Sequence, residues 1–190
     1  ETMLAPIQLP RFVKIRQSFD ASCVANIGFK IRGELERAAI REKLRPGMKI
    51  AVTCGSRGIA DIHIVIRELV HQLQEMGTEP FVIPAMGSHG GATAEGQRDV
   101  LAHLGVTEAF IGCPIRATME VRQVATADNG DPVYADKFAV EADGVILVGR
   151  IKPHTDFHGP FESGIMKMFA IGLGKQHGAS ICHKRGFDLM

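Results

Sequence analysis

Short apolar runs along the chain alternate with longer segments of helical spacing. The runs at residues 49–53, 80–84 and 144–151 are continuous enough to predict buried strands. Between the first two runs, residues 61–76 carry apolar side chains three or four positions apart, which predicts an amphipathic helix. A glycine-rich loop follows each of the three runs. The pattern therefore indicates a strand–loop–helix unit that occurs three times.

The remaining segments give weaker signals. Thr93 is a good N-cap for a helix that ends at Gly105. Asn129-Gly130 is typical of a hairpin turn, so we expect an antiparallel pair on its two sides. The other predicted elements are a strand at 12–15, a helix at 34–44, the paired strands at 116–126 and 132–134, and a helix from about residue 163.

Repeated strand–loop–helix units predict an α/β fold built on a mostly parallel, doubly wound, Rossmann-like sheet, with a small antiparallel excursion around residues 116–134. In such sheets, ligands bind beyond the carboxyl ends of the strands. All three glycine-rich loops follow a predicted strand, so we expect them to meet on one face of the domain.

Composition narrows the class of protein. The 190 residues are 45% hydrophobic and 23% charged, as in ordinary soluble domains. A net charge of +1 argues against nucleic acid or an anionic membrane as partner. Cys23, Cys54, Cys113 and Cys182 form no CxxC pair, which argues against a disulfide framework or a zinc ribbon. From this cysteine usage we expect a cytoplasmic protein. No signal peptide is recognisable, and Glu1, which is not an initiator methionine, indicates a piece of a longer chain.

The first two loops carry candidate ligand-binding side chains. Arg57, in a Gly-Ser-Arg-Gly loop, suits a carboxylate or phosphate at a helix N-terminus, or is a solvated surface arginine beside a tight turn. His89 lies in Gly-Ser-His-Gly-Gly and suits general acid–base chemistry near neutral pH. The alternative for His89 is a loop histidine that bonds to the following helix.

The third loop, residues 152–160, holds two histidines, an aspartate and two prolines after a predicted strand. Asp156 would orient either His154 or His158 by accepting a ring N–H. The same cluster would also serve as a capped turn. The spacing of the histidines on a proline-flanked loop does not match a helical metal pair, which argues against zinc.

Downstream, Lys167 stands among Ile165, Met166, Met168 and Phe169. On a helix these neighbours predict an apolar surrounding that lowers the lysine pKa and makes its amine reactive. The alternative is a lysine whose ammonium reaches water along the surface. By contrast, the lysines in polar, glycine-rich surroundings, Lys175 and Lys184, are expected to stay hydrated.

In this order, the Arg57 loop, the Gly-Ser-His89-Gly loop, the histidine-rich loop and the Ser163-Gly164-x-x-Lys167 segment resemble the nickel-dependent lactate racemase family. The resemblance runs from about residue 49 to residue 183. Residues 151–178, which begin near Lys-Pro-His-Thr-Asp-Phe, are more similar to an uncharacterised subgroup than to the lactate racemases themselves.

The resemblance implies a nickel pincer nucleotide, the nickel complex of pyridinium-3,5-bisthiocarboxylic acid mononucleotide. It implies Lys167 for covalent attachment, His183 as the nickel ligand, and Arg57 for the substrate carboxylate or the cofactor phosphate. One base would be His89. The other would be His154 or His158, which stand 13 and 9 residues before Lys167 and leave the choice open. Further residues implied to contact the cofactor are Gly87, Ser88, Gly90, Ser163 and Gly164.

The implied reaction is racemisation or epimerisation of a small 2-hydroxy acid. Two histidines are needed because each enantiomer presents its hydroxyl proton differently. Two alternatives remain: a metal-dependent lyase or dehydratase that uses the same histidines, and a sensor domain that binds a small anion without catalysis. The resemblance also implies that residues 1–190 form an N-terminal cofactor-binding domain, with a C-terminal domain beyond residue 190.

Overall fold

The computed structural model describes residues 11–56, 58–154, 158–159 and 162–184 as a mixed α/β protein. A parallel sheet has the strand order β2-β1-β5, and a separate antiparallel sheet pairs β3 with β4. The strands are β1 (Lys49–Cys54), β2 (Glu79–Pro84), β3 (Val121–Thr126), β4 (Pro132–Asp136) and β5 (Gly144–Ile146). The helices are α1 (Ile27–Leu35), α2 (Ala38–Arg41), α3 (Ile62–Glu75), α4 (Ala94–His103), α5 (Glu108–Ile111), α6 (Lys137–Val140), α7 (Ile165–Lys167) and α8 (Lys175–Lys184).

The three predicted parallel strands are confirmed, with β1 in the middle. Lys49 pairs with Glu79 of β2, and Ile50 pairs with Gly144 of β5. A further parallel bridge joins Val82 of β2 to Ile115, which lies outside the five strands. The prediction of a mostly parallel α/β sheet is therefore confirmed for three strands, while the wider doubly wound sheet stays a prediction.

Alternate side chains of the strands point into two apolar layers. On one face, Ile50, Val52 and Val82 pack with Ile66 and Leu69 of α3. The amphipathic helix predicted at residues 61–76 from the spacing of its apolar residues is thereby confirmed as α3.

The second layer lies on the opposite face of the sheet. There Ala51, Phe81 and Ile83 pack with Ala139 of α6 and with Leu173. Because both faces are covered, β1 is buried from Ile50 onward, as its continuous apolar run requires.

The antiparallel excursion is also confirmed. β3 and β4 pair from Val121–Asp136 to Thr126–Pro132, with a bulge between Gln123 and Ala125. Asn129 Oδ1 accepts the N–H of Asp131 in the connecting turn, at 3.0 Å. β4 packs against α8, and this contact brings the hairpin to the same side of the molecule as the C-terminal helices.

Two predicted elements near the N-terminus were wrong. Residues 11–24 form neither helix nor strand, and Phe12 in the predicted strand 12–15 is 99% exposed. The predicted helix 34–44 is instead α1 and α2. It begins earlier because the Asn26 side chain accepts the N–H of Phe29 at 2.8 Å, and it breaks where Arg37 adopts an extended ψ of 132°.

The strand predicted at residues 144–151 is β5, which is shorter than predicted and ends at Ile146. Beyond it, the N–H of Val148 donates to Oγ1 of Thr53, at 2.9 Å, in place of a backbone ladder bond. Residues 168–173 form a π-helical turn that joins α7 to α8, so a helical segment follows residue 163 as predicted. Within the described residues, no helix combines the length and apolar character needed to cross a bilayer.

Candidate functional site

The loops after β1, β2 and β5 contact one another at the carboxyl edge of the parallel sheet. Ser56 Oγ, in the first loop, is hydrogen-bonded to Nδ1 of His89 in the second loop at 2.7 Å. Nη1 of Arg150, beyond β5, donates to the backbone oxygen of Gly58 at 3.2 Å. Segments that are far apart in sequence thus form one surface, as their shared position after parallel strands predicts.

The His89 loop is held on both its sides by backbone and side-chain contacts. Thr93 caps α4 by accepting the N–H of Gly96 at 3.0 Å, which confirms the predicted cap. Inside the protein, Nε2 of the buried Gln97 donates to the backbone oxygens of Gly87, at 2.8 Å, and His89, at 3.2 Å. The side chain of His89 is exposed, and so is that of Ser88. The backbone of the loop is therefore held from the protein interior, while its polar side chains face the solvent.

The glycines of this loop have packing reasons of their own. Gly87 has φ +62°, and a Cβ there would lie 3.0 Å from Cγ2 of Ile171. Gly90 has φ +65° and would collide with the backbone at Gly96 in the first turn of α4. Close approach of the chain to itself explains both positions. Their role in binding a cofactor stays a prediction.

Glu162 organises the third loop. Its Oε2 accepts the backbone N–H of His154 at 2.8 Å, and its Oε1 accepts the N–H of Gly159 at 3.2 Å. The same Oε1 lies 3.2 Å from Nδ1 of His158. The N–H groups of His154 and Gly159 lower the pKa of Glu162, with a smaller contribution from His158. A carboxylate that is ionised near neutral pH therefore holds both candidate histidines in one turn.

The Ser163-Gly164 segment lies against the end of the β5 loop. Gly164 is buried with φ +72° and ψ −136°, and a Cβ there would lie 3.5 Å from Cα of Ile151. Ser163 is half-buried. Lys167 follows in α7, but its side chain is exposed, together with Ile165 and Met166. The predicted apolar surrounding of Lys167 was wrong, because this side of α7 faces away from the core.

The buried lysine of the segment is Lys175, for which we predicted a hydrated side chain. It is 0% exposed, and its ammonium lies 2.9 Å from Oδ2 of Asp136, which is also 0% exposed. It further donates to Oε1 of Gln97 at 3.2 Å and to the backbone oxygen of Pro84. Burial lowers the pKa of Lys175, and the charge of Asp136 opposes that shift. The prediction failed because these partners come from elements distant in sequence.

His183 lies exposed in the last turn of α8. In the described parts of the chain, no three His, Cys, Asp or Glu side chains are grouped so that they would hold a metal ion. Cys54 does not contribute a thiolate near neutral pH, since burial raises its pKa to about 12.

Arg57 and Asp156, two of the predicted side chains, lie outside the described residues. Conversely, the structure gives site contacts to Ser56, Gln97 and Glu162, which the sequence patterns did not single out. Ser56 lies in the first loop and Glu162 follows the third loop by two residues, so their polar side chains were an available signal. Gln97 lies within a helix and offered none.

Comparison with known proteins adds one finding. The family model for the lactate racemase N-terminal domain matches residues 17–187 of the chain. This range includes every candidate site residue discussed above. No curated protein matches the chain.

Proposed function

Since the chain belongs to the lactate racemase N-terminal domain family, we propose that it is the cofactor-facing domain of a racemase or epimerase of 2-hydroxy acids. The observation that carries the proposal is the 2.7 Å hydrogen bond between Ser56 Oγ and His89 Nδ1. It places an imidazole at the edge where α/β sheets bind ligands. When Nδ1–H donates to Ser56, the lone pair of the ring is on Nε2, as a general base requires.

We propose His158 rather than His154 as the second base. Glu162 is acceptor-only when ionised, so the 3.2 Å contact requires that Nδ1 of His158 carries the proton. The neutral ring then has its lone pair on Nε2. The contact of His154 with the same carboxylate is made by its backbone N–H.

The residues present fit a nickel pincer nucleotide. This cofactor provides three of the nickel ligands itself, so the single imidazole of His183 is sufficient from the protein. Covalent attachment requires an amine that a bulky group can reach, and Lys167 is exposed. The cofactor, when bound, would supply the chemistry that removes a hydride from the substrate Cα and returns it.

The two histidines would handle the substrate hydroxyl. His89 takes the hydroxyl proton of one enantiomer as its Cα–H bond breaks, which leaves a planar 2-keto acid. When the opposite enantiomer forms, His158 would donate the proton that its new hydroxyl needs. The reverse reaction exchanges the two roles, so each imidazole acts as a base in one direction and as an acid in the other.

The strand order also indicates what kind of larger sheet and protein the site belongs to. Because β1 lies between β2 and β5, the chain moves to opposite sides of β1 in successive units, and we propose that this is the switch point of a doubly wound sheet. We also propose that a C-terminal domain of the same chain covers the exposed apolar side chains beside Lys167. Those side chains are Ile165, Met166 and Phe169. The compartment that we propose for the enzyme is the cytoplasm.

The test is racemisation by the full-length protein, produced together with the enzymes that make the cofactor. Single enantiomers of lactate and of other 2-hydroxy acids are incubated and the products are resolved by chiral chromatography. We expect conversion toward a racemic mixture, its loss in His89→Ala, and little change in the control His71→Ala, an exposed histidine on α3. Peptide mapping should find the cofactor mass on Lys167.

Three results would contradict the proposal. Elimination of water from the substrate would indicate the lyase alternative. Anion binding without turnover that survives His89→Ala would indicate a sensor. Full racemisation by His89→Ala would remove this histidine from the role of base.

A further inference from the structure

Lys175 is enclosed by three acceptors from three different parts of the fold. Its ammonium donates to the backbone oxygen of Pro84, where β2 ends, and to Oε1 of Gln97 in α4. It also pairs with Oδ2 of Asp136, the last residue of β4. The contacts with Pro84 and Gln97 are hydrogen bonds, whereas the contact with Asp136 is an ion pair, since Oδ2 of Asp136 has no hydrogen-bond partner among the described residues. A lysine at this position therefore joins β2, α4 and β4 in one contact.

Gln97 connects Lys175 to the His89 loop through hydrogen bonds at both ends of its side-chain amide. Its Oε1 accepts from Lys175, while its Nε2 donates to the backbone oxygens of Gly87 and His89. The orientation of the amide is thereby fixed: with Lys175 on one side, only the NH₂ group faces the loop. Both Gln97 and Lys175 are 0% exposed, so bulk solvent does not reach either partner.

At its other end, Lys175 is the first residue of α8, the helix that carries His183 in its last turn. Lys175 has φ +54°, a conformation that is costly for a residue with a side chain. The strain is tolerated because the three acceptors hold the side chain in place. The backbone of α8 is thus anchored to the same network that holds the His89 loop.

We propose that Lys175 is a positioning residue that sets where His89 and α8 stand relative to each other, acting through Gln97. This inference rests on the proposed function for the role of His89, but the placement itself does not depend on it. A purely stabilising role is a poor explanation for the lysine, because burying an ion pair is often no more favourable than burying apolar side chains of similar volume. What Lys175 adds is contact with acceptors from three separate elements, two of them through hydrogen bonds.

The test uses the full-length protein and the double variant Lys175→Met/Asp136→Asn, which removes both buried charges. The Asn side chain keeps the Oδ1 acceptor for the N–H groups of Phe138 and Ala139, so the variant should fold. Hydrogen exchange of the amides at residues 87–93 and 175–184 should accelerate about tenfold or more, as expected for lost hydrogen bonds. In the loaded enzyme kcat should fall by a similar factor, with little change in KM.

A second variant protects the test against misfolding. Gln97→Leu removes only the side-chain amide that connects Lys175 to the His89 loop. It should accelerate hydrogen exchange of the amides at residues 87–93 while leaving those at residues 175–184 protected. Its matched control is Gln74→Leu on α3, where Nε2 donates to the backbone oxygen of Gly112 at 2.9 Å, so the same kind of bond is lost far from the loop.

The exchange measurement decides the inference without reference to catalysis. Unchanged exchange at residues 87–93 in folded Lys175→Met/Asp136→Asn and in Gln97→Leu would overturn it. Faster exchange together with unchanged racemisation would support the positioning role and contradict His89 as a base instead.

Discussion

Replacing Asp136 by Asn removes one charge from the core and leaves the shape of the side chain. In the wild type, Oδ1 of Asp136 accepts the N–H groups of Phe138, at 2.8 Å, and Ala139, at 3.3 Å, and Asn retains that acceptor. What is lost is the partner of the Lys175 ammonium, 2.9 Å away in a site where both side chains are 0% exposed. The variant therefore isolates the cost of an uncompensated buried charge.

That cost is large. Removing one partner of a buried ion pair typically destabilises a protein by about 3–5 kcal/mol. For a chain of this size, each kcal/mol lowers the melting temperature by about 2–4 °C, so we expect a decrease of roughly 6–20 °C near neutral pH. The control Asp143→Asn changes an exposed aspartate whose Oδ2 accepts the N–H of Lys49 at 2.8 Å, and it should cost much less.

The loss should shrink as the pH rises. Burial lowers the pKa of Lys175 from its usual 10.5, and Asp136 opposes that shift, so the pKa falls further in Asp136→Asn. Below the folded-state pKa, both states hold the proton and the full penalty remains. Between that pKa and 10.5 the unfolded chain binds more protons than the folded chain, so stability rises with pH, and more steeply in the variant.

Thermal denaturation at several pH values between about 7 and about 10 measures the difference between wild type and variant. Buried thiols act in the opposite direction, since burial raises the pKa of Cys54 to about 12 and of Cys113 to about 11. They contribute equally to both proteins and cancel in the difference. A difference that stays constant over this range, or a variant as stable as the wild type, would refute the assignment of a charged, buried Lys175–Asp136 pair.

Two further predictions concern the candidate bases. Ser56→Ala removes the 2.7 Å bond to His89 and should slow racemisation by about 2–13-fold, from the usual contribution of one hydrogen bond. The NMR shifts of the two ring nitrogens of His89 should change as well, because the bond to Ser56 selects the tautomer. An unchanged rate with unchanged shifts would show that the bond is dispensable. Glu162→Gln removes the carboxylate beside His158 and should lower kcat/KM equally for both enantiomers, because His158 acts as an acid in one direction and as a base in the other; an unchanged kcat/KM would argue against a specific role for His158.

Much of the sheet was predictable because its signals are local. The apolar run that became β1 and the helical spacing that became α3 reflect burial of whole elements, and such burial leaves a periodic mark in the sequence. The cap at Thr93 was predictable for a similar reason, since it depends on residues three positions apart.

The segments that failed are those whose structure depends on distant partners. The apolar residues near Phe12 have a strand-like composition, yet the part of the chain at 11–24 pairs with no other strand in the described structure. β5 stops at Ile146 because a side chain of β1 captures the next backbone donor. Neither result is visible in a local pattern.

The lysines show the same limit within the candidate site, and they also revise the argument for the cofactor attachment point. Apolar neighbours in sequence predicted a buried Lys167, but a short helix at the surface exposes it. Lys175 is the lysine whose pKa burial lowers, yet its ammonium already contacts three acceptors, and a bulky group would have to break all of them to reach it. The inaccessibility of its amine therefore argues against Lys175 as the cofactor attachment point, whereas the amine of Lys167 is accessible. Its position between Gly164 and the helix that carries His183 remains the reason to favour it over the exposed Lys184.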